Sequence, residues 1–152
     1  MNAQVWIAIL VGLAAMIDDL ARRQIANWIP LSALAAGFGW QIGQSGLSGL
    51  LYAGIGKVAG FAVFLVFYLL GGMGGGDVKL MAGFGALLGF HRLLEAALWT
   101  AGVGGLIALG VLGVRALKHA LGWTTKQEQG QDSIPYAPAI ALGVWLSLVP
   151  KG

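Results

Sequence analysis

Residues 47–77 read LSGLLYAGIGKVAGFAVFLVFYLLGGMGGGD, an apolar run followed by a glycine-rich stretch and an aspartate. The run 47–70 exceeds the roughly 20 apolar residues that a helix needs to cross a bilayer. The glycines after it disfavour a continued helix, because each costs about 1 kcal/mol relative to alanine. An ionisable carboxyl at a membrane span is costly and marks a candidate functional site. The stretch therefore predicts a membrane helix followed by a loop that presents Asp77.

Apolar runs of this kind cover most of the chain, at 5–17, 29–42, 47–70, 78–90, 93–117 and 134–149. The region 78–117 is too long for one crossing and is divided at His91-Arg92. Of the 152 residues, 58% are hydrophobic and 10% are charged, whereas soluble domains average about 25% charged residues. We expect an all-α, polytopic membrane helix bundle with about six transmembrane helices. Residues 1–152 would form a single membrane-embedded domain without a separate soluble domain.

The basic residues predict how this bundle is oriented, because cytoplasmic loops carry an excess of Lys and Arg. Six of them fall on one predicted side, namely Arg22, Arg23, Lys79, Arg115, Lys118 and Lys126; the other side has Arg92 and Lys151. The first side would be cytoplasmic, with both termini outside. Asp19 ends the first run, and two spans separate it from Asp77. Both carboxyls are therefore expected at the cytoplasmic face.

The residue types present limit the possible chemistry. The chain has no cysteine, which excludes disulfides, thiolate metal sites and a cysteine nucleophile. His91 and His119 lack metal-ligand spacing, so we expect no metal and no cofactor. The net charge of +3 is interpreted as a topology signal, without a nucleic-acid partner.

Two carboxyls that can meet, with no metal ligands around them, suggest aspartic-protease chemistry. One ionised carboxyl would take a proton from water while the other polarises the scissile carbonyl. Two close carboxyls share a proton, because two adjacent negative charges are unfavourable. Asp18 competes with Asp19 for this role, and periodicity does not choose between them. The alternatives are an ion or proton relay in a transporter or channel, a non-catalytic membrane subunit of a secretion assembly, and simple interfacial charges.

Three segments resemble a known family. Gly74-Gly75-Gly76-Asp77, followed by Val78-Lys79-Leu80, resembles the GxGD signature of the type IV prepilin peptidases. The segment 19–27, with sequence DLARRQIAN, resembles that around the family's first catalytic aspartate, with Ala26 where relatives often have proline. The segment 134–141, with sequence IPYAPAIA, resembles the family's last-helix motif. The three segments occur in family order and span nearly the whole chain.

The resemblance implies an intramembrane aspartic endopeptidase in the bacterial inner membrane, with its active site facing the cytoplasm. It would remove the short basic leader from prepilins. By position in the motifs, Asp19 and Asp77 would be catalytic, Gly74–Gly76 would form the active-site loop, and Lys79 and Asn27 would support it. The absence of cysteine and of a cytoplasmic insertion resembles the short, peptidase-only form associated with Flp/Tad-type pili; preflagellin-processing enzymes share that form.

Two further expectations concern residues outside the motifs. Lys57 falls near the middle of the third run, where a single buried charge would be costly. We hypothesise that it pairs with Glu95 inside the bundle. Gly102, Gly104 and Gly105 in the fifth run are predicted to be packing notches between helices.

Overall fold

The computed structural model describes residues 3–70, 73–121 and 136–149, and the regular structure in these ranges is helical throughout. Helix α1 spans Ala3–Arg22, α2 spans Trp28–Leu69, α3 spans Gly75–Ala120 and α4 spans Ala137–Leu148. The predicted all-α class is confirmed. Three helices, α1, α2 and α3, are long and apolar enough to cross a membrane, and α4 is a shorter apolar helix. The count of six crossings stays a prediction.

Helices α2 and α3 are each interrupted at one glycine. Gly46 has φ 57° and Gly89 has φ 72°, conformations that favour glycine because it has no Cβ. Gly49 lies against the carbonyl of Gln41, although a straight helix would separate these residues by about 12 Å along its axis. The chain therefore turns back on itself at Gly46, between the second and third apolar runs.

The break at Gly89 falls two residues before His91-Arg92, where the sequence divides the fourth apolar run from the fifth. Gly104, well beyond it, lies beside Tyr136, and Ala137 donates its N–H to Asp19. The second part of α3 thus returns to the end of the bundle from which the first part started. The Leu87 carbonyl, just before the break, accepts hydrogen bonds from the side-chain amides of Gln4 and Gln41 at 2.8 and 3.2 Å.

The first part of α3 is the centre of the bundle, since every residue from 80 to 89 is buried. Glycines allow α2 to approach it closely. Gly56 and Gly85 lie against each other's carbonyl groups, and Gly60 lies against the Met81 carbonyl. Such contacts between small residues are typical of membrane helices, whose association depends on close packing. Large apolar side chains remain exposed on the outside, among them Leu31, Leu47 and Leu98, as expected where lipid is the solvent.

Helix α4 packs against α1 and runs antiparallel to it. The Trp145 indole N–H donates to the Ala8 carbonyl at 3.1 Å, and Gly12 accommodates the same indole ring. At the opposite end of this pair, the N–H of Ala137 reaches the side chain of Asp19. Docking of α4 therefore determines the surroundings of that carboxyl. Ser133, Ile134 and Pro135 lie outside the described residues.

The predicted burial of Lys57 is wrong. Its side chain is exposed on the surface of α2, so it is not enclosed in the bundle with Glu95. Two of the three glycines predicted to be packing notches in the fifth run also differ from expectation. Gly104 packs against Tyr136 and Ala139, but Gly102 and Gly105 face open space. The sequence shows where the small residues are, but it does not show which of them faces another helix.

Candidate active site

A cavity of about 250 Å³ lies where α1 ends and α3 begins. Both predicted aspartates, the three loop glycines and both supporting residues line it. The full lining consists of Asp19, Arg23, Gln24, Ile25, Asn27, Gly74, Gly75, Gly76, Asp77 and Lys79. Residues that are far apart in the chain thus meet at one place, as the sequence predicted for the two carboxyls.

Asp19 enters this cavity from the last turn of α1 and is 7% exposed. Its Oδ2 accepts a hydrogen bond from the Ala137 N–H at 3.1 Å. Ala137 is the first residue of α4, and the first N–H groups of a helix have no partner within the helix. The Asp19 carboxylate therefore accepts a hydrogen bond from an N–H group that has no partner within α4. The positive end of the α4 dipole stabilises the negative charge of this carboxylate.

Asp77 lies in the first turn of α3 and is 6% exposed. Its Oδ2 accepts a hydrogen bond from the Gly74 N–H at 3.1 Å, while its own N–H donates to the Gly74 carbonyl at 3.1 Å. This reciprocal pair orients the carboxyl at the start of the helix. Oδ1 is buried and has no hydrogen-bond partner among the described residues. A buried carboxyl oxygen in a cavity is suited to hold water or substrate, because such groups are rarely left unpaired.

Asp18 is directed elsewhere and does not line the cavity. Its Oδ2 accepts the Ala26 N–H at 2.7 Å, and its Oδ1 lies 3.5 Å from Nε of Arg22. Adjacent helical residues point about 100° apart, so only one of the two aspartates can face Asp77. The structure places Asp19 there, while Asp18 holds the loop between α1 and α2.

The loop glycines allow backbone segments to approach closely. A Cβ on Gly76 would lie 3.1 Å from Cβ of Ile25, and one on Gly74 would lie 3.4 Å from Oδ2 of Asp77. Gly75 is less constrained, with its nearest neighbour, an atom of Tyr68, at 3.7 Å. Gly76 is therefore the loop glycine at which a side chain would most disturb the α1–α2 connection.

Lys79 and Asn27 interact directly, since the Lys79 ammonium donates to Oδ1 of Asn27 at 2.9 Å. This contact ties α3 to the α1–α2 loop at the mouth of the cavity. Asn27 makes no side-chain capping hydrogen bond to α2, so its observed side-chain contact is the one with Lys79 of α3.

Three cavity residues, Arg23, Gln24 and Ile25, are not among those that the motifs predict for the site. Arg23 adopts φ 52°, an uncommon conformation for a residue other than glycine, and its N–H donates to the Asp19 carbonyl at 2.7 Å. This turn ends α1 directly after Asp19 and directs the chain across the cavity. The arginine itself gives no sequence signal of such a turn, because glycine and asparagine are the residues that favour it.

The sequence that forms this site is similar to a known protein family. Residues 6–109, more than half of the chain, match the type IV leader peptidase family. The chain belongs to this family. That confirms the resemblance found in its motifs, and together with the long apolar helices it indicates a membrane protein.

Two members of this leader peptidase family are similar to the chain over long segments, and both are named prepilin leader peptidase/N-methyltransferase. The one from Bacillus subtilis (strain 168) is 38% identical over 96 residues, which cover 60% of this chain and 34% of the relative. The one from Aeromonas hydrophila is 29% identical over 138 residues, covering 86% of this chain and 43% of the relative. The chain thus spans less than half the length of these relatives. No solved structure shows a significant match.

Proposed function

We propose that this protein is a membrane-embedded aspartic endopeptidase that removes the leader from type IV prepilins. The observation that carries the proposal is the shared cavity of Asp19 and Asp77, which unites two buried carboxyls from distant helices in a leader peptidase family member. The names of the two curated relatives support prepilins as the substrate class. Of the two activities in those names, peptidase and N-methyltransferase, a carboxyl pair supports the peptidase.

The hydrolysis needs one proton between the two carboxyls. The ionised carboxylate takes a proton from a water molecule, whose oxygen forms a bond to the scissile carbonyl carbon. The protonated carboxyl donates to the carbonyl oxygen, which develops negative charge. When the C–N bond breaks, the proton taken from water passes to the leaving amine. The unpaired Oδ1 of Asp77 provides an oxygen that is not already engaged by the described part of the protein.

Each aspartate accepts a hydrogen bond from a backbone N–H group. The donor is Ala137 for Asp19 and Gly74 for Asp77. Backbone donors do not titrate, so they hold the carboxyl oxygens in place whichever carboxyl carries the proton. This arrangement suits a pair that exchanges roles during the reaction.

We further propose six crossings, with the cavity at the cytoplasmic face of the bacterial inner membrane. The interruptions at Gly46 and Gly89 divide α2 and α3 between the second and third apolar runs and two residues before the predicted division of the fourth from the fifth. The basic residues near the cavity, Arg22, Arg23 and Lys79, support cytoplasmic placement because positive residues favour that side. A Flp/Tad-type prepilin is the substrate that the sequence resemblance favours.

The test is cleavage of candidate prepilins by the purified protein in liposomes, with products sized by mass spectrometry. Asp19→Asn and Asp77→Asn should each abolish leader removal, because asparagine cannot accept or release the shared proton. Both variants should still accumulate in the membrane, since asparagine retains an oxygen that accepts the backbone hydrogen bond. Cleavage that persists in either variant, or ion flux without cleavage by the unaltered protein, would refute the proposal.

A further inference from the structure

A second and larger cavity opens beside the active site. It is a groove of about 560 Å³ between the second parts of α2 and α3, and Tyr136 lines it beside Gly104. Phe64 and Phe67 form one wall and Leu98 belongs to the other. Leu98 is 75% exposed and Phe67 is 45% exposed, so the groove opens at the apolar outer surface of the bundle.

Two residues that line the groove are chain neighbours of the residues that hold the active-site carboxyls. Met73 lines the groove and is followed by Gly74, whose N–H donates to Asp77. Tyr136 also lines it and is followed by Ala137, which donates to Asp19. Both residues that hold the carboxyls are thus bonded covalently to residues that line the groove. An apolar segment lying in the groove would end beside the carboxyl pair.

The floor of the groove is made of small residues on α3. Ala97, Ala101, Gly104 and Ala108 follow one another at intervals of four, three and four residues, a spacing that places them on one helix face. Gly105, next to Gly104, also lines the groove. From Ala97 to Ala108 this face is roughly 16 Å long by helical rise, or about three turns. Small residues let another helix approach closely within a membrane. A floor of this kind favours a helix over a single lipid chain, which gains no comparable backbone approach.

We infer that this groove binds the apolar helix of the prepilin substrate, with the start of that helix at Met73 and Tyr136. The inference rests on the proposed peptidase function and specifies where its substrate is held. About three turns of contact fix the position of the helix along the groove. The peptide bond that precedes the helix then falls in the cavity of Asp19 and Asp77. Groove contacts thereby select which bond is cleaved.

Two glycines of α3 provide a matched test. Gly105 lines the groove and Gly102 does not, yet both are exposed, and a Cβ added at either position would have no neighbouring atom within 4 Å. Gly105→Leu therefore adds bulk inside the groove at a position where the Cβ meets no neighbouring atom, and Gly102→Leu adds the same side chain outside the groove. We expect Gly105→Leu to lower kcat/KM for a prepilin by roughly tenfold or more, and Gly102→Leu to cleave as the unaltered protein does. Equal cleavage by both variants would overturn the inference.

Photocrosslinking detects docking independently of hydrolysis. A photoreactive amino acid at Leu98, which lines the groove, is compared with one at Leu109, which is exposed on the same helix outside the groove. Both are placed in an Asp77→Asn background that cannot turn over. Crosslinks to the prepilin helix from position 98 and not from position 109 support the inference. Crosslinks to lipid alone, or equally from both positions, overturn it. Cleavage by the unaltered protein tests the peptidase function separately, so failure of docking and failure of the function are distinguishable.

Discussion

A single methyl group at Gly76 should reduce activity with little effect on stability. In Gly76→Ala the new Cβ would lie 3.1 Å from Cβ and 3.5 Å from Cγ1 of Ile25. Carbon atoms pack best at about 3.5–4.0 Å, so Ile25 must retreat by a few tenths of an ångström. This movement of Ile25 is resisted, because the N–H of the next residue, Ala26, donates a hydrogen bond to Asp18 at 2.7 Å.

The two free-energy terms at Gly76 nearly cancel. Crowding of this kind costs about 1 kcal/mol at the lower end of its range, and replacing a helical glycine by alanine gains up to about 1 kcal/mol. Geometry at the carboxyls is less tolerant, since a displacement of about 1 Å can cost roughly 100-fold in rate. If the contact with Ile25 displaces the start of α3, and with it the Asp77 carboxyl, by a few tenths of an ångström, kcat/KM should fall by about three- to tenfold. Thermal unfolding should be nearly unchanged.

Gly75→Ala is the control for this experiment. It lies in the same first turn of α3 and gains the same helix stabilisation, but its nearest neighbour is an atom of Tyr68 at an ordinary 3.7 Å. Prepilin cleavage and thermal unfolding are measured for both variants in the same detergent. Full activity in Gly76→Ala, or equal losses in the two variants, would refute the argument that contact with Ile25 positions the site.

Other contacts around the site and within the bundle can be tested in the same way. Asp18→Asn should keep most cleavage activity because its amide oxygen can still accept the Ala26 N–H, whereas Asp18→Ala should lose activity and about 1 kcal/mol of stability; activity in Asp18→Ala equal to that of Asp18→Asn would contradict this role. Gly56→Ala should abolish accumulation in the membrane, because its Cβ would collide with the Gly85 carbonyl, and Gly54→Ala, which faces open space, should accumulate normally. The pH profile of kcat/KM should be bell-shaped, falling in acid when the ionised carboxylate is protonated and in alkali when the shared proton is lost; a flat profile would argue against a carboxyl pair.

Much of the fold can be predicted from the sequence because its signals are local. Apolar runs and their interruptions predict helices, and the runs meet at positions where glycine permits a turn, as at Gly46 and Gly89. The meeting of Asp19 and Asp77 is also predictable, from their placement at the ends of runs separated by two spans. These inferences need only chain order and the cost of charge in a bilayer.

The remaining features depend on helix rotation and neighbours, which sequence does not specify. Asp18 and Asp19 have the same side chain and differ only in the direction in which the last turn of α1 points them. Asp18 accepts a hydrogen bond from the loop after α1, and Asp19 faces the cavity. The depth of Lys57 along its run predicts burial, but rotation of α2 exposes the side chain. Likewise, Gly104 has a packing partner, whereas a side chain at Gly105 would face open space, although both occur in the same apolar run.

The candidate site is built from helix ends rather than from side-chain partners, and this has a mechanistic consequence. Asp19 reaches the start of α4 and Asp77 lies at the start of α3, each held by a backbone N–H. The geometry of the pair therefore depends on how α4 docks against α1 and on how the glycine loop enters α3. The same two junctions carry Tyr136 and Met73, which both line the groove. A substrate helix in the groove would press on the segments that hold both carboxyls, so its binding and the alignment of the pair are expected to be coupled.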